Sequence, residues 1–261
     1  PVLLREPREG VPQVTDTLEG FEDYCDRLSA ASGPLAADAE RASGYRYGHD
    51  DWLIQFKRDG AGIGLLDPMA LNAIGVDWGM FNRAVGDATW ILHDAKQDLP
   101  GFAQLSLTPL AKEHSAADWS YRPLPRDWRN YAALDVELLI PLAHKMTIDL
   151  KRAGKWEWAC QEFEYVLRTE LHPRRPHAVP WLRISHINTI QRDRRALAIA
   201  KELWTERDEL ARRYDIAPSL LLADSSIIEA AQAKPRNARQ FRAIRSLNER
   251  VRMHLGTDQD K

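Results

Sequence analysis

Cysteine is nearly absent: Cys25 and Cys160 are the only two in 261 residues, far apart and without the spacing of a metal site. That excludes a disulfide scaffold and a thiolate metal centre, and both residues are expected as reduced, buried thiols of a cytoplasmic protein. Equally missing is any apolar run near the ~18–20 residues that cross a bilayer, so no membrane association is expected. No basic start followed by an apolar stretch marks export, although the chain opens on Pro1 rather than Met. Neither sign of charge is in real excess, with 36 Lys and Arg against 38 Asp and Glu. Internal repeats and low-complexity segments are absent too. What remains, 44% hydrophobic and 28% charged, is the balance of a globular protein and excludes a disordered tail or a collagen-like fibre. The length suffices for one large domain and a small one, each with its own core.

The near-neutral total hides a split. Residues 186–261 hold 15 Lys and Arg against 11 Asp and Glu, a net of +4, and residues 1–185 hold 21 against 27, a net of −6. An acidic larger part joined to a basic smaller one fits a metal-using catalytic domain and a module for a polyanion. The joint falls where Pro173, Pro176 and Pro180 forbid a continuing helix. The expected division is therefore a domain over 1–170, a linker over 171–185 and a second domain over 186–261. In the first, apolar patterning predicts strands over 35–42, 52–57, 63–67 and 89–93, with a turn at 58–62. Asp16 with Glu19 predicts a helix start, and further helices are expected over 127–152 and 156–169. Strands followed by helices in this order make an α/β domain. Helical patterning over 192–214 and 225–233, the latter opened by a Ser226/Glu229 capping box, and on through Leu255, makes the second part all-helical.

Three short stretches could carry chemistry. In 34–40, PLAADAE, strand alternation puts Asp38 and Glu40 on one face, where small alanines leave room for a cation between them; an exposed strand with two solvated acids has the same pattern. In 91–100, ILHDAKQDLP, a strand ending near His93 would release a turn or helix that presents Asp98 above the sheet edge, and a helix-capping aspartate would look alike. In 131–136, YAALDV, the i, i+4 spacing places Tyr131 and Asp135 one helical turn apart on one face. Singly each is common. Jointly they offer the carboxylate oxygens that hard divalent ions such as Mg²⁺ or Mn²⁺ select. Two such ions roughly 3.5–4 Å apart can cleave a phosphodiester, and that needs three or four acids converging from separate segments.

Asp-x-Glu on a strand, His-Asp-x-x-x-Asp after a later strand and Tyr-x-x-x-Asp on a helix resemble the three motifs of the DEDDy-type 3′–5′ exonucleases. Residues 112–125, KEHSAADWSYRPLP, running into Tyr131, narrow the resemblance to the ribonuclease D family, and residues from about 186 resemble an HRDC (helicase and ribonuclease D C-terminal) domain. The resemblance implies a ribonuclease H-like fold, a mixed sheet flanked by helices, followed by a small all-α HRDC domain. It implies that Asp38 bridges two divalent ions, Mg²⁺ or Mn²⁺, that Glu40 and Asp135 complete the catalytic one, and that Asp98 holds the second. Tyr131 would orient the attacking water. The implied reaction is hydrolysis of RNA from its 3′ end to nucleoside 5′-monophosphates, in maturation of tRNA or other structured RNA, by a monomer. A 3′–5′ DNA exonuclease would use the same acids, since the choice lies in contacts to the 2′-OH. A non-catalytic RNA-binding relic would not need all four acids and the tyrosine. One departure stands out: Tyr131 follows Asp98 by only 33 positions, fewer than the family usually has. Because the flanking motifs are intact, a segment missing between them is expected rather than a true deletion.

For RNA binding the candidates are basic. Lys234, Arg236, Arg239, Arg242, Arg245, Arg250 and Arg252 recur at helical spacing suited to phosphate oxygens, with Phe241 able to stack on a base. Arg192, Arg194 and Arg195 crowd a helix start, an unfavourable place for cations unless a polyanion offsets them. Linker arginines Arg174, Arg175 and Arg183 could extend the track. Among nine tryptophans, Trp52, Trp90, Trp156, Trp158 and Trp204 are expected in cores, while Trp119, with Arg122, is a candidate lining of the substrate channel.

Overall fold

The computed structural model describes residues 4–93, 95–105, 118–170 and 178–244. The chain forms two compact units, Pro1–Ala42 with His49–Arg174, and Ser43–Gly48 with Arg175–Lys261. The first contains β1 (Val14–Thr15), α1 (Leu18–Ala30), β2 (Leu35–Arg41), β3 (Asp51–Arg58), β4 (Gly62–Leu66), α2 (Pro68–Ala73), α3 (Trp78–Val85), β5 (Trp90–Ile91), α4 (Ala95–Gln104), α5 (Arg126–Glu137), α6 (Leu139–Arg152) and α7 (Trp156–Glu170). Its sheet runs β1-β4-β3-β2-β5, with β1/β4 and β2/β5 parallel and the inner pairs antiparallel. This is the mixed, helix-flanked sheet that the motifs implied.

Alternation decides which core each strand residue serves. On β2, Leu35, Ala37 and Ala39 face a core with Phe21, Tyr24 and Leu28 of α1, Phe81 of α3 and Phe102 of α4. Ala36 faces the opposite core, built with Leu53 of β3, Ile63 and Leu65 of β4, and Ala132, Ala133 and Val136 of α5. Spacing of Phe21, Tyr24, Cys25 and Leu28 at i, i+3, i+4 and i+7 gives α1 its buried stripe. That helix starts one residue later than Asp16 would have it: Thr17 is the cap, its hydroxyl accepting the Gly20 amide at 3.2 Å. Gly64 admits the Tyr24 ring, because a Cβ there would lie 2.5 Å from it. Alanines on α5 bring its backbone close to the sheet, which it crosses over β2, β3 and β4. The helix expected over 127–152 is divided at Leu138 into α5 and α6. Cys25 is buried, burial pushing its thiol up to about 12, while Cys160 is only partly covered. Trp158 is 68% exposed on α7, contrary to the core position expected for it.

The second unit is helical: single 3₁₀ turns at Pro180–Arg183 and Ile187–Ile190, then α8 (Arg194–Tyr214), α9 (Pro218–Leu221), α10 (Asp224–Ala233) and α11 (Ala238–Arg242). Ile184, Ile190, Ala196, Ala200, Ile227, Ile228 and Ala231 form its core. Ile184 is 3% exposed, so the last residues assigned to a linker are part of the packed unit; residues 171–177 lie outside the described set. The capping box at Ser226 does not form. Helix α10 begins earlier, with no side-chain cap at Ala223, and Ser226 is buried inside it. Residues 43–48 also belong here, Ala217 donating its amide to the Tyr45 carbonyl at 2.9 Å and the Tyr47 hydroxyl bonding Asp208 at 3.0 Å. The helical pattern expected through Leu255 lies outside the described residues beyond Ile244.

Candidate metal centre

Asp38 and Glu40 share the parity of Ala36 on β2, and so face α5. On α5, Asp135 precedes the buried pair Val136 and Glu137 and is half-buried at the edge of the same core. The three meet: one carboxylate oxygen from each of Asp38, Glu40 and Asp135 lies within 4.8 Å of the others. Asp38 and Glu40 are each 1% exposed. Local bonds fix them, the Ala39 amide donating to Asp38 Oδ1 at 2.7 Å and Gln55 Nε2 to Glu40 Oε1 at 3.4 Å. Three carboxylates this close, two of them out of water, repel unless cationic charge is supplied, and all-oxygen donors of this kind suit Mg²⁺ or Mn²⁺. The donor set therefore fits a hard divalent ion. Tyr131 stands one turn before Asp135, 42% exposed, its ring 6.2 Å from that of Trp119.

Asp98 is outside that group of three. It lies in the first turn of α4, 3% exposed, and its Oδ1 is 3.5 Å from the Arg41 guanidinium. Arg41 also pairs with Asp51 at 2.9 Å. The β2–β3 register shifts between Glu40 and Arg41, so that Arg41 is opposite Asp51 at the start of β3. Burial pushes the Asp51 carboxyl up to about 7, the Arg41 guanidinium opposing it only in part. Neither residue was picked out in the sequence. Gln55 was equally overlooked, although alternation from Leu53 places it on the face of Glu40 and its register pairs it with Asp38.

Two channel candidates are placed otherwise. Trp119 is 1% exposed in the core under α5, its ring 5.5 Å from Trp128. A buried indole of this kind shapes the seat of α5. Arg122 spends its guanidinium on Asp67 at 2.6 Å and on the carbonyls of Trp119, Tyr121 and Trp52, which makes it a strut between segments. Residues 112–117 of the same motif lie outside the described set. In the second unit Arg192, Arg194, Arg195, Arg236 and Arg239 are exposed. Asp193 caps α8 through the amides of Arg195 and Ala196 and pairs with Lys234, so an anion of the chain itself already relieves the cations at that helix start. That pair also joins the two basic clusters. The Arg242 side chain and residues 174, 175, 245, 250 and 252 lie outside the described set.

Comparison with known proteins finds two family models along the chain. The family model described as 3'-5' exonuclease matches residues 12–109 and 102–151, and that of the HRDC domain matches 196–258. The break between the two exonuclease pieces falls in the short connection after Asp98. Ribonuclease D of Nitrobacter hamburgensis is 29% identical over 136 residues, 52% of this chain and 35% of that one, so the match spans about a third of that relative's length. A solved structure from Bifidobacterium adolescentis is 62% identical, with a TM-score of 0.87 over 98% of this chain and 69% of that one. Escherichia coli RNase D shares the fold at 22% identity, TM-score 0.61, over 94% of this chain and 72% of that one. With more than half its length matched by that model and a second domain behind it, the chain belongs to the 3′–5′ exonuclease family, in the ribonuclease D arrangement of an exonuclease domain followed by an HRDC domain.

Proposed function

We propose that the chain is a divalent-metal-dependent 3′–5′ exoribonuclease that releases nucleoside 5′-monophosphates from structured RNA such as tRNA precursors. The convergence of Asp38, Glu40 and Asp135 carries this reading. Those three would hold the catalytic ion, and Asp98 a second shared with Asp38. Bound there, divalent ions supply Lewis acidity and offset charge developing on the scissile phosphate. The remaining work is the chain's own. The Ala39 amide and Gln55 fix the two strand carboxylates, and Ala132, Ala133 and Val136 hold α5 against the sheet so that Asp135 meets them. Tyr131, exposed on the same helix face, would orient the attacking water through its hydroxyl. Escherichia coli RNase D, an exoribonuclease involved in structured RNA processing, shares this fold, which supports the choice of substrate. The exposed Arg192, Arg194, Arg195, Arg236 and Arg239 of the second unit would track the phosphate backbone.

The test uses 3′-hydroxyl ribo- and deoxyribo-oligonucleotides of one sequence with Mg²⁺ or Mn²⁺. Ribo-selective shortening from the 3′ end, stopped by EDTA and reduced to background in Asp38→Asn and Asp135→Asn with unchanged melting, is the expected outcome. A fully active Asp38→Asn protein would place the chemistry elsewhere, and equal turnover of both polymers would make it a general 3′–5′ exonuclease.

A further inference from the structure

One half-buried cation beside the centre has no part in the chemistry above. Arg41 is the residue after Glu40, and its side chain is only 17% exposed. It reaches two carboxylates from different elements, Asp51 of β3 at 2.9 Å and Asp98 of α4 at 3.5 Å. Both are buried, at 1% and 4% side-chain exposure, so solvent screens these interactions little. The register shift after Glu40 makes this possible, because it brings Arg41 opposite Asp51. Geometrically, then, the four family acids are in two states: three carboxylates are gathered with their oxygens within 4.8 Å, and the fourth is beside an arginine.

We propose that Arg41, anchored by Asp51, is a positioning residue that competes with the second divalent ion for Asp98, making the two ions of the centre bind with unequal strength. The inference rests on the two-metal reading above. An ion that ligates Asp98 must displace or share the guanidinium beside it, and it must also approach a fixed positive charge. The three-carboxylate group meets neither obstacle from Arg41 in its own ligand set. Asp51 makes the competition sustainable: when Asp98 turns to an ion, Arg41 keeps the buried Asp51 carboxyl as a partner and is not left stranded, an arrangement that would otherwise be costly. The first ion is thus retained at low concentrations and the second is admitted only at higher ones.

The experiment is Mn²⁺ binding by the whole chain without RNA, followed by calorimetry and electron paramagnetic resonance. The binding event that disappears in Asp98→Asn identifies the second site. Neutralising Arg41 alone would strand Asp51, so the informative variant is the double, near-isosteric Arg41→Gln/Asp51→Asn, checked by its melting curve. Expected is a second-site affinity about tenfold tighter than in the original chain, with the first site unchanged. Arg41→Lys, which keeps the charge, should keep the original gap between the sites. A second event no tighter in the double variant, or absent from it, overturns the proposal. Failure of the original chain and the variants to bind any Mn²⁺ overturns the two-metal reading itself, and this inference with it.

Discussion

Asp224 serves two partners at once, accepting the Ser185 amide at 2.8 Å and the Arg207 guanidinium at 2.7 Å. Burial pushes its carboxyl up, but the Ser185 amide and the Arg207 guanidinium outweigh that and hold it below the ordinary carboxylate value. A depressed folded-state pKa contributes stability that is complete above the unfolded value near 4 and disappears as pH falls through the folded one. Asp224→Asn should therefore cost about 1 kcal/mol in urea melts at pH 7, kept small by partial exposure, and the difference from the original chain should shrink below about pH 4. Trp119 makes a contrasting case. Its motif neighbours suggested a substrate contact, yet it is 1% exposed. Trp119→Ala should destabilise by about 3–5 kcal/mol in the same melts. Which way a tryptophan faces in a non-repetitive segment cannot be read from spacing, since no period constrains it.

Helix α5 carries both Tyr131 and Asp135, so whatever fixes its register on the sheet fixes the centre. Besides its alanine face, a buried ion pair ties it down: Lys57 of β3 donates to Glu137 at 2.7 Å, with side chains 11% and 1% exposed, and exposed Arg8 stands 3.7 Å away. Removing one partner of a buried pair leaves a charge out of water and costs about 3–5 kcal/mol, whereas an apolar replacement of both is often neutral. Lys57→Met should lose stability in that range, at the lower end because Arg8 relieves part of the charge. The double variant Lys57→Met/Glu137→Leu should recover most of it, as denaturant melts would show. Strand alternation along β3 puts Lys57 with Leu53 and Gln55 on one face. That Glu137 would lie across from it depended on how α5 crosses β3, a long-range matter. Local chemistry was similarly readable at α1 and misleading at α10, where Ser226 had the spacing of a cap but an apolar environment claimed it.

Across the whole chain, the charge split read from composition is matched by the division into an acidic exonuclease unit and a basic helical one. The boundaries moved: residues 178–185 are packed with the helical unit, and residues 43–48 count with it as well, because proximity in space rather than chain order decides membership. Arg192, Arg194 and Arg195 are some forty residues from Arg236 and Arg239 along the chain, and the Asp193–Lys234 pair joins their segments in space. If these five bind phosphates, replacing all of them by Gln should weaken single-stranded RNA binding at low salt. It should also flatten the plot of log affinity against log salt by about 0.7 for each phosphate no longer neutralised. Fluorescence anisotropy over a salt series measures that slope. Among the described residues, no helix is long and apolar enough to cross a membrane.

Short-range periodicity alone settles a good deal. Two-residue alternation put Asp38 and Glu40 on one face, and the i, i+4 step aligned Tyr131 with Asp135, because backbone geometry alone dictates such relations. Folding decided the rest: that Asp135 reaches the strand acids, that Asp98 lies beside Arg41, and that Trp119 is internal. Each of those depends on how closely separate elements approach one another, which is set by alanine faces, glycine gaps and a one-residue register shift whose consequences emerge only once the layers are packed.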